Sequence, residues 1–176
     1  MLYIIGGTPR AGKSKLAKLL LERNKIPFLS TDFLIHMIQE AQPDLRLTIP
    51  YNEISDKFCP YFTALVKHII DTTSPYTIEG DAFLPKQIPA LEKIYQIKAV
   101  FLGISQCSLE TILNFVGEND WINKLSQKDK EVLPIQLMES SKNIEDQCRE
   151  YNQFYIDMSI GDYQSNLESA YQYIMS

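Results

Sequence analysis

The chain has 176 residues, of which 45% are hydrophobic and 22% charged, a composition typical of one soluble globular domain. The net charge of −5 and the lack of a basic run argue against nucleic acid as a partner, because phosphate contacts need a basic face. No apolar run approaches the roughly 20 residues that cross a bilayer, and Met1–Ile5 lacks the basic region of a signal peptide. We therefore expect no membrane association and a cytoplasmic protein.

Short apolar runs alternate with helical patterns along the chain, which is typical of a parallel sheet covered by helices. The predicted elements, in chain order, are strand Leu2–Gly6, helix Lys13–Arg23, strand Ile26–Ser30, helix Asp32–Ala41, helix Asp56–Asp71, strand Tyr76–Glu79, helix Ile88–Tyr95, strand Ile97–Leu102, helix Ser108–Phe115, helix Ile135–Asn152, strand Phe154–Asp157 and helix Asp162–Ile174. We find no linker or repeat, so we predict one three-layer α/β domain over residues 1–176 with a five-stranded parallel sheet.

The segment Gly7–Ser14 fits the pattern G-x-x-x-x-G-K-S of a phosphate-binding loop, the P-loop. That motif needs a strand before it and a helix after it, and both are predicted. Gly7 and Gly12 let the backbone fold so that N–H groups and the helix N-terminus face the phosphates. Lys13 is expected at the β- and γ-phosphates and Ser14 on Mg²⁺; the alternative is a glycine-rich turn without a ligand. The loop predicts ATP and Mg²⁺ as cofactors, with nucleotide contacts from Gly7, Thr8, Pro9, Arg10, Ala11, Gly12, Lys13, Ser14 and Lys15.

Two classes of P-loop protein fit this sequence poorly. The base-reading N-K-x-D of GTPases has its nearest match at Asn123–Ser126, which lacks the final Asp. Transport and motor ATPases are usually larger. Size, strand count and a polar segment before the long helix resemble the small-molecule P-loop kinases, the group of adenylate, shikimate and gluconate kinases. The resemblance implies a P-loop NTPase fold, phosphoryl transfer from ATP, a substrate-side helical segment at about 42–73 and a lid at about 117–130.

The residues after the second predicted strand are Ser30, Thr31 and Asp32. The carboxyl end of that strand lies at the same sheet edge as the P-loop. In the kinases that this chain resembles, an Asp at this position orients or deprotonates the acceptor hydroxyl and often touches a magnesium water. The resemblance therefore gives Asp32 a catalytic and a metal role. The alternative is that Thr31 or Asp32 only caps the following helix, and the two roles are compatible.

The third predicted strand runs into Glu79, Gly80 and Asp81. This is similar to the E-G motif of 2-phosphoglycerate-kinase-like proteins, in which the acid lies near the γ-phosphate. The resemblance makes Glu79 the candidate for holding substrate or a magnesium water, with Asp81 as the weaker one. Gly80 would let the backbone pass close to a ligand. The alternative is a solvated strand end.

The chain departs from the resembled kinases in the lid, where they carry arginines that stabilise the developing charge. Gly117–Lys130 has lysines but no arginine, and a lysine is a point charge without a bidentate fork. Either Arg10 and Arg149 act together with the lysines, or the lid is catalytically weak. The lysines concerned are Lys124, Lys128 and Lys130.

The acceptor is expected near Asp32 and Glu79, and Arg46 and Lys57 are candidates to meet an anionic one, although a surface role fits both. We expect base recognition by the backbone of the turn at Met158–Asp162, where Gly161 permits close approach.

Three functions remain open. The first is an ATP-dependent kinase of a small molecule, the second a kinase of nucleotides or nucleosides, and the third a nucleotide-binding regulator with weak or no ATPase activity. The arginine-free lid favours the regulator, and the pair of Asp32 and Glu79 favours a kinase. The sequence identifies neither the acceptor nor the oligomeric state.

Overall fold

The computed structural model describes residues 1–47, 51–73, 75–114 and 121–176, with the side chains of 51–53 excepted. Its strands are Leu2–Gly7 (β1), Phe28–Ser30 (β2), Tyr76–Glu79 (β3), Ile97–Gly103 (β4) and Phe154–Asp157 (β5). Its helices are Lys13–Asn24 (α1), Thr31–Ala41 (α2), Tyr51–Thr72 (α3), Ile88–Glu92 (α4), Leu109–Asn114 (α5), Gln127–Glu150 (α6) and Tyr163–Met175 (α7). Short 3-10 turns lie at Pro43–Leu45, Pro85–Gln87 and Ile122–Lys124.

The five strands form one sheet in the order β2-β3-β1-β4-β5, and every pair is parallel. The predicted α/β fold with a five-stranded parallel sheet is therefore confirmed. In the register, Ile5 of β1 lies beside Glu79 of β3 and beside Val100 of β4. Because the carboxyl ends of parallel strands meet at one edge of the sheet, the segments after β1, β2 and β3 come together there.

The core lies on both faces of the sheet. Alternate residues of a strand point to opposite faces, so Ile4 and Ile5 of β1 belong to different clusters. The face carrying Ile4 packs against α3, α4 and α6, and its largest buried side chains are Leu2, Phe58, Phe62, Ile78, Phe83, Ile88 and Phe101. The other face packs against α1 and α7 through Leu16, Leu20, Val100, Leu102, Leu167 and Ile174. Burial of each such side chain stabilises the fold by about 1.5–3 kcal/mol, which explains the three layers.

Two long helices start earlier than the sequence pattern predicts. The helix α3 begins at Tyr51, because the stretch up to Asp56 contains no Gly or Pro to oppose a helix. The helix α6 begins at Gln127, where Ser126 is the N-cap and accepts a hydrogen bond of 3.2 Å from the Asp129 N–H. The end of the predicted lid at 117–130 is thus helical, and residues 117–120 lie outside the described residues.

The remaining boundaries differ by a few residues. The strand β2 starts at Phe28, α4 ends at Glu92, and α1 ends at Asn24, with Lys25 as its C-cap at φ 59°. The predicted end of α5 at Phe115 lies outside the described residues. None of the helices in the described ranges is long and apolar enough to cross a bilayer.

Replacing Gly7 with Ala is expected to destabilise the domain by more than about 3 kcal/mol. Gly7 has φ 127°, and a Cβ there would lie 2.0 Å from the backbone oxygen of Leu102, so β4 would have to move. Gly161→Ala is the matched control, because φ is 79° but nothing lies within 4 Å of the added carbon. The control should lower the free energy of unfolding by only about 1–2 kcal/mol, the cost of a left-handed backbone conformation for a residue with a Cβ. Urea unfolding measures both, and equal losses would contradict the steric account.

Candidate active site

The loop between β1 and α1 has a backbone that few residue types adopt. Gly7, Arg10 and Gly12 have φ values of 127°, 72° and 100°. The Thr8 N–H donates to the Leu102 carbonyl of β4 at 2.9 Å, which anchors the loop to the sheet. Gly12 is the N-cap of α1 and offers no capping side chain, so the first N–H groups of that helix remain available to an anion. The loop has the shape of a phosphate-binding cradle.

Lys13 is held across the mouth of this loop. Its side chain is buried, with 8% of the residue exposed, and Nζ donates a 3.0 Å hydrogen bond to the Thr8 carbonyl. A buried cation is costly to keep without a negatively charged partner. The position suits an ammonium that can meet an anion bound in the loop.

Ser14 at the start of α1 and Glu79 at the end of β3 lie in contact. The Ser14 Oγ donates to Oε1 of Glu79 at 3.2 Å, and Glu79 is only 4% exposed. Hydroxyl and carboxylate oxygens are ligands that Mg²⁺ accepts, with water completing the shell. The described residues contain no group of three or more His, Cys, Asp or Glu able to hold a metal. A magnesium ion here would therefore rely on few protein oxygens and on those of a bound phosphate.

Gly80 lets α2 pack closely against the end of β3. A Cβ at this position would lie 1.7 Å from Oγ1 of Thr31, a residue that is fully buried. Ser30 pairs with Glu79 in the sheet register, so this close packing places Asp32 near Glu79. The close approach of the Gly80 backbone to a ligand stays a prediction.

The N-cap of α2 is Ser30, not Thr31 or Asp32. The Oγ of Ser30 accepts a hydrogen bond of 3.4 Å from the Asp32 N–H. The alternative that Thr31 or Asp32 caps the helix is therefore wrong, because the helix starts one residue earlier than the sequence pattern indicates. The carboxylate of Asp32 is not used as the cap.

Asp32 lies at the open side of the same cluster. The residue is exposed as a whole, yet enough protein surrounds its carboxylate to withdraw it partly from water, which raises its pKa. The ammonium of Lys13 lowers this pKa, while the carboxylate of Glu79 raises it and His36 lowers it. The net shift is upward, which makes Asp32 a stronger proton acceptor than an ordinary aspartate. Lys13 and Glu79, predicted from two other segments of the chain, thus lie close enough to Asp32 to act on its carboxylate.

Arg149 does not belong to this cluster. It lies at the end of α6 just before β5 begins, at the edge of the sheet opposite the loop, and it forms an ion pair with Glu145. Ser141, further up the same helix, is the residue level with the carboxyl end of β4, where its Oγ accepts a 2.7 Å hydrogen bond from the Ile104 N–H. Arg149 is eight residues beyond it, about 12 Å along the helix axis. The suggestion that Arg149 reaches the phosphates is wrong.

Tyr163, at the start of α7, contacts the loop directly. A Cβ on Gly12 would lie 2.3 Å from its hydroxyl, and the Nζ of Lys15 lies 5.0 Å from the centre of its ring. Lys15 therefore sits on the outer side of the loop beside Tyr163. This contact could not be predicted from the sequence, because an aromatic residue at the start of a helix does not indicate what it packs against.

The loops that follow β4 and β5 are tied together by polar side chains. Oδ1 of Asp157 accepts hydrogen bonds from the Ser159 N–H at 2.9 Å and from the Ser159 hydroxyl at 2.6 Å. The Ser159 Oγ in turn accepts 3.0 Å hydrogen bonds from the N–H groups of Ser105 and Gln106. Gly161, in the second loop, has φ 79°. Sequence spacing gives no sign of this network, because the two loops that it joins lie more than 50 residues apart in the chain.

Several solved structures of kinases have a similar fold. No protein-family model and no curated protein matches the sequence. A gluconokinase from Sinorhizobium meliloti is 15% identical, with a TM-score of 0.61 over 98% of this chain and 90% of that chain. A shikimate kinase from Acinetobacter baumannii, solved with shikimate, is 17% identical, with a TM-score of 0.59 over 99% and 92%. A sugar kinase from a Janibacter species is 14% identical, with a TM-score of 0.57 over 99% and 94%. The chain has the fold of the small-molecule P-loop kinases, and the predicted resemblance is confirmed at that level.

Proposed function

We propose that this chain is an ATP- and Mg²⁺-dependent kinase that transfers a phosphoryl group to a hydroxyl or phosphate of a small molecule. The observation that carries the proposal is the convergence of Lys13, Asp32 and Glu79 beside the loop Gly7–Ser14. A phosphate-binding turn alone needs no acidic pair next to it. The fold shared with a gluconokinase and a shikimate kinase supports the same reading.

Nucleotide binding would use the loop and the start of α1. The backbone N–H groups of Gly7–Ser14 and the first turn of α1 would donate to the phosphate oxygens. Lys13 would exchange the neutral Thr8 carbonyl for the charged β- and γ-phosphate oxygens, which are stronger hydrogen-bond acceptors. This exchange gives the buried ammonium a negatively charged partner.

The metal would be held by Ser14 directly and by Glu79 and Asp32 through water. When bound, Mg²⁺ would offset the negative charge that develops on the phosphate oxygens. The 3.2 Å hydrogen bond between Ser14 and Glu79 places the two oxygens side by side for this task. Glu79 is fixed by its place in the sheet and by burial, so it needs little rearrangement.

Asp32 would act on the acceptor. The acceptor oxygen forms a bond to the γ-phosphorus, the bond from that phosphorus to the β–γ bridging oxygen breaks, and ADP leaves. The proton of the acceptor hydroxyl goes to the Asp32 carboxylate, whose raised pKa favours the transfer. A phosphate acceptor needs no such proton transfer, and Asp32 would then only position it.

Two alternatives remain for this site. A nucleotide or nucleoside kinase would use the same residues with a different acceptor. A nucleotide-binding regulator with weak ATPase activity is favoured by the absence of arginine in the sequence 117–130. The acidic pair of Asp32 and Glu79 favours an enzyme, because a regulator has no need of a proton acceptor beside the loop.

Acceptor-stimulated release of ADP separates these functions. The purified protein with MgATP should release ADP faster in the presence of one member of a panel of sugar acids, polyols, hydroxy acids, nucleosides and nucleotides. Stimulation by a nucleoside or nucleotide would select the second function. A rate that no acceptor raises above the ATP-only background would contradict the kinase and support the regulator.

Discrimination between ATP and GTP should be modest, below about 100-fold, or about 2.7 kcal/mol. We propose that the base is recognised by the backbone of the turn at 158–162. The polar side chains of that region support this, since Asp157 and Ser159 use their hydrogen-bonding capacity on the protein itself. Calorimetric titration with each nucleotide measures the ratio. A larger preference would show that a side chain reads the base.

A further inference from the structure

The chain has few guanidinium groups, and their positions decide which of them can serve the phosphates. The four arginines are Arg10, Arg23, Arg46 and Arg149. Arg23 lies in the last turn of α1, about 15 Å along the helix from the loop, and is paired with Glu168 at 2.8 Å. Arg149 lies at the same far edge of the sheet with Glu145. Arg10, inside the loop itself, and Arg46, on the substrate side, remain.

Arg10 is held in a costly conformation. Its φ of 72° lies in the left-handed region, which residues other than glycine rarely adopt. Arg46 also has a positive φ, of 50°, so what distinguishes Arg10 is its place inside the phosphate-binding loop. The side chain reaches out of the loop, and Nη2 donates a 3.0 Å hydrogen bond to the Ile112 carbonyl of α5. Partial burial also lowers the pKa of Arg10, as expected of a cation drawn out of water.

The residue that Arg10 contacts belongs to a separate hydrophobic cluster. We call it the α5–α6 core, and its buried members are Ile112, Ile122, Leu133 and Leu137. Ile122 directly follows Trp121, the single tryptophan of the chain, which is 38% exposed. The hydrogen bond from Arg10 therefore links the phosphate-binding loop to α5 and, through Ile112, to the α5–α6 core. Trp121, next to Ile122, offers an optical signal for any change in that core.

On the basis of the proposed function, we propose that Arg10 is the arginine that binds the γ-phosphoryl group, leaving the Ile112 carbonyl when a triphosphate occupies the loop. A phosphate oxygen is the stronger partner, because the hydrogen bond is then assisted by opposite charges and can be bidentate. A guanidinium there would supply the charge stabilisation that the lid sequence 117–130 lacks. When Arg10 leaves the Ile112 carbonyl, the α5–α6 core loses its hydrogen bond to the loop, so nucleotide binding in the loop changes the surroundings of that core.

The test compares a triphosphate with a diphosphate. Calorimetry gives the affinities of wild type and Arg10→Gly for the magnesium complexes of ADP and of a non-hydrolysable β,γ-imido ATP analogue, and Trp121 fluorescence is recorded in parallel. Glycine suits the positive φ, so the variant should melt no lower than wild type. Triphosphate affinity should fall about 10- to 100-fold, with diphosphate affinity within about threefold of wild type. The triphosphate-specific change in fluorescence should disappear.

Two further variants make the result specific. Arg149→Gln removes a guanidinium at the far edge of the sheet and should change neither affinity. Arg46→Gln tests the other candidate, and a selective loss of triphosphate affinity in this variant but not in Arg10→Gly would overturn the proposal. Equal losses for both nucleotides in Arg10→Gly, or no triphosphate-specific fluorescence change in wild type, would also overturn it. Failure of the wild type to bind either nucleotide would instead refute the proposed function, and this proposal with it.

Discussion

Replacing Lys13 with alanine is expected to lower the rate of phosphoryl transfer by at least about 100- to 1,000-fold and to weaken ATP binding by about 10-fold or more. The ammonium is buried at the mouth of the loop and has a backbone carbonyl as its acceptor, so a bound phosphate is its natural charged partner. The fold should survive, because the Lys13 side chain spans the loop rather than packing in any of the three hydrophobic clusters.

Calorimetric titration with MgATP and turnover with an active acceptor measure both effects. Lys18→Ala removes the same charge from the same helix outside the loop, and it should retain affinity and turnover. A Lys13→Ala protein that binds ATP as tightly as wild type would refute the assignment of the loop.

The substitution Asp32→Asn is expected to reduce turnover by about two orders of magnitude or more, with ATP affinity nearly unchanged. Asparagine keeps the size of the side chain but cannot accept the acceptor's proton.

The raised pKa of Asp32 also predicts the sign of the stability change in Asp32→Asn. The folded protein penalises the ionised form, so stability falls as the pH rises from the ordinary pKa of an aspartate through the raised one. At neutral pH the variant should melt at or slightly above the temperature of wild type, and below the ordinary pKa the two should coincide.

Ser30→Ala is the matched control for Asp32. It removes the observed N-cap of α2, so it should cost about 1 kcal/mol of stability while turnover stays close to that of wild type. Melting temperature, ATP affinity and turnover on the two variants separate a chemical role from a structural one. Native-like turnover in Asp32→Asn would remove Asp32 from the mechanism and leave Glu79 as the carboxylate to test.

Much of the fold could be predicted because its signals are local. Apolar runs identify the buried strands, and the spacing Gly7–Ser14 between a strand and a helix identifies the loop. The convergence of Asp32 and Glu79 could be inferred because strands in a parallel sheet end at one edge. The strand order and register that bring these two residues together could not be predicted from the sequence.

Other features depend on contacts that sequence spacing does not reveal. The start of α6 was missed because Ser126 caps it inside a polar stretch that has no apolar period. Arg149 was misplaced because its distance from the loop depends on where α6 meets the sheet. The hydrogen bond from Arg10 to Ile112 joins residues 102 positions apart, and nothing in either local sequence indicates it.

The most direct test of the account is a crystal structure of the protein with Mg²⁺ and the β,γ-imido ATP analogue. We expect the β- and γ-phosphates to lie within hydrogen-bonding distance of the N–H groups of Gly7–Ser14. The Nζ of Lys13 should have left the Thr8 carbonyl for a phosphate oxygen, and Mg²⁺ should be bonded to Oγ of Ser14. Phosphates bound outside the loop, or a fully occupied nucleotide with Lys13 still on the Thr8 carbonyl, would contradict the assignment on which the proposed kinase rests.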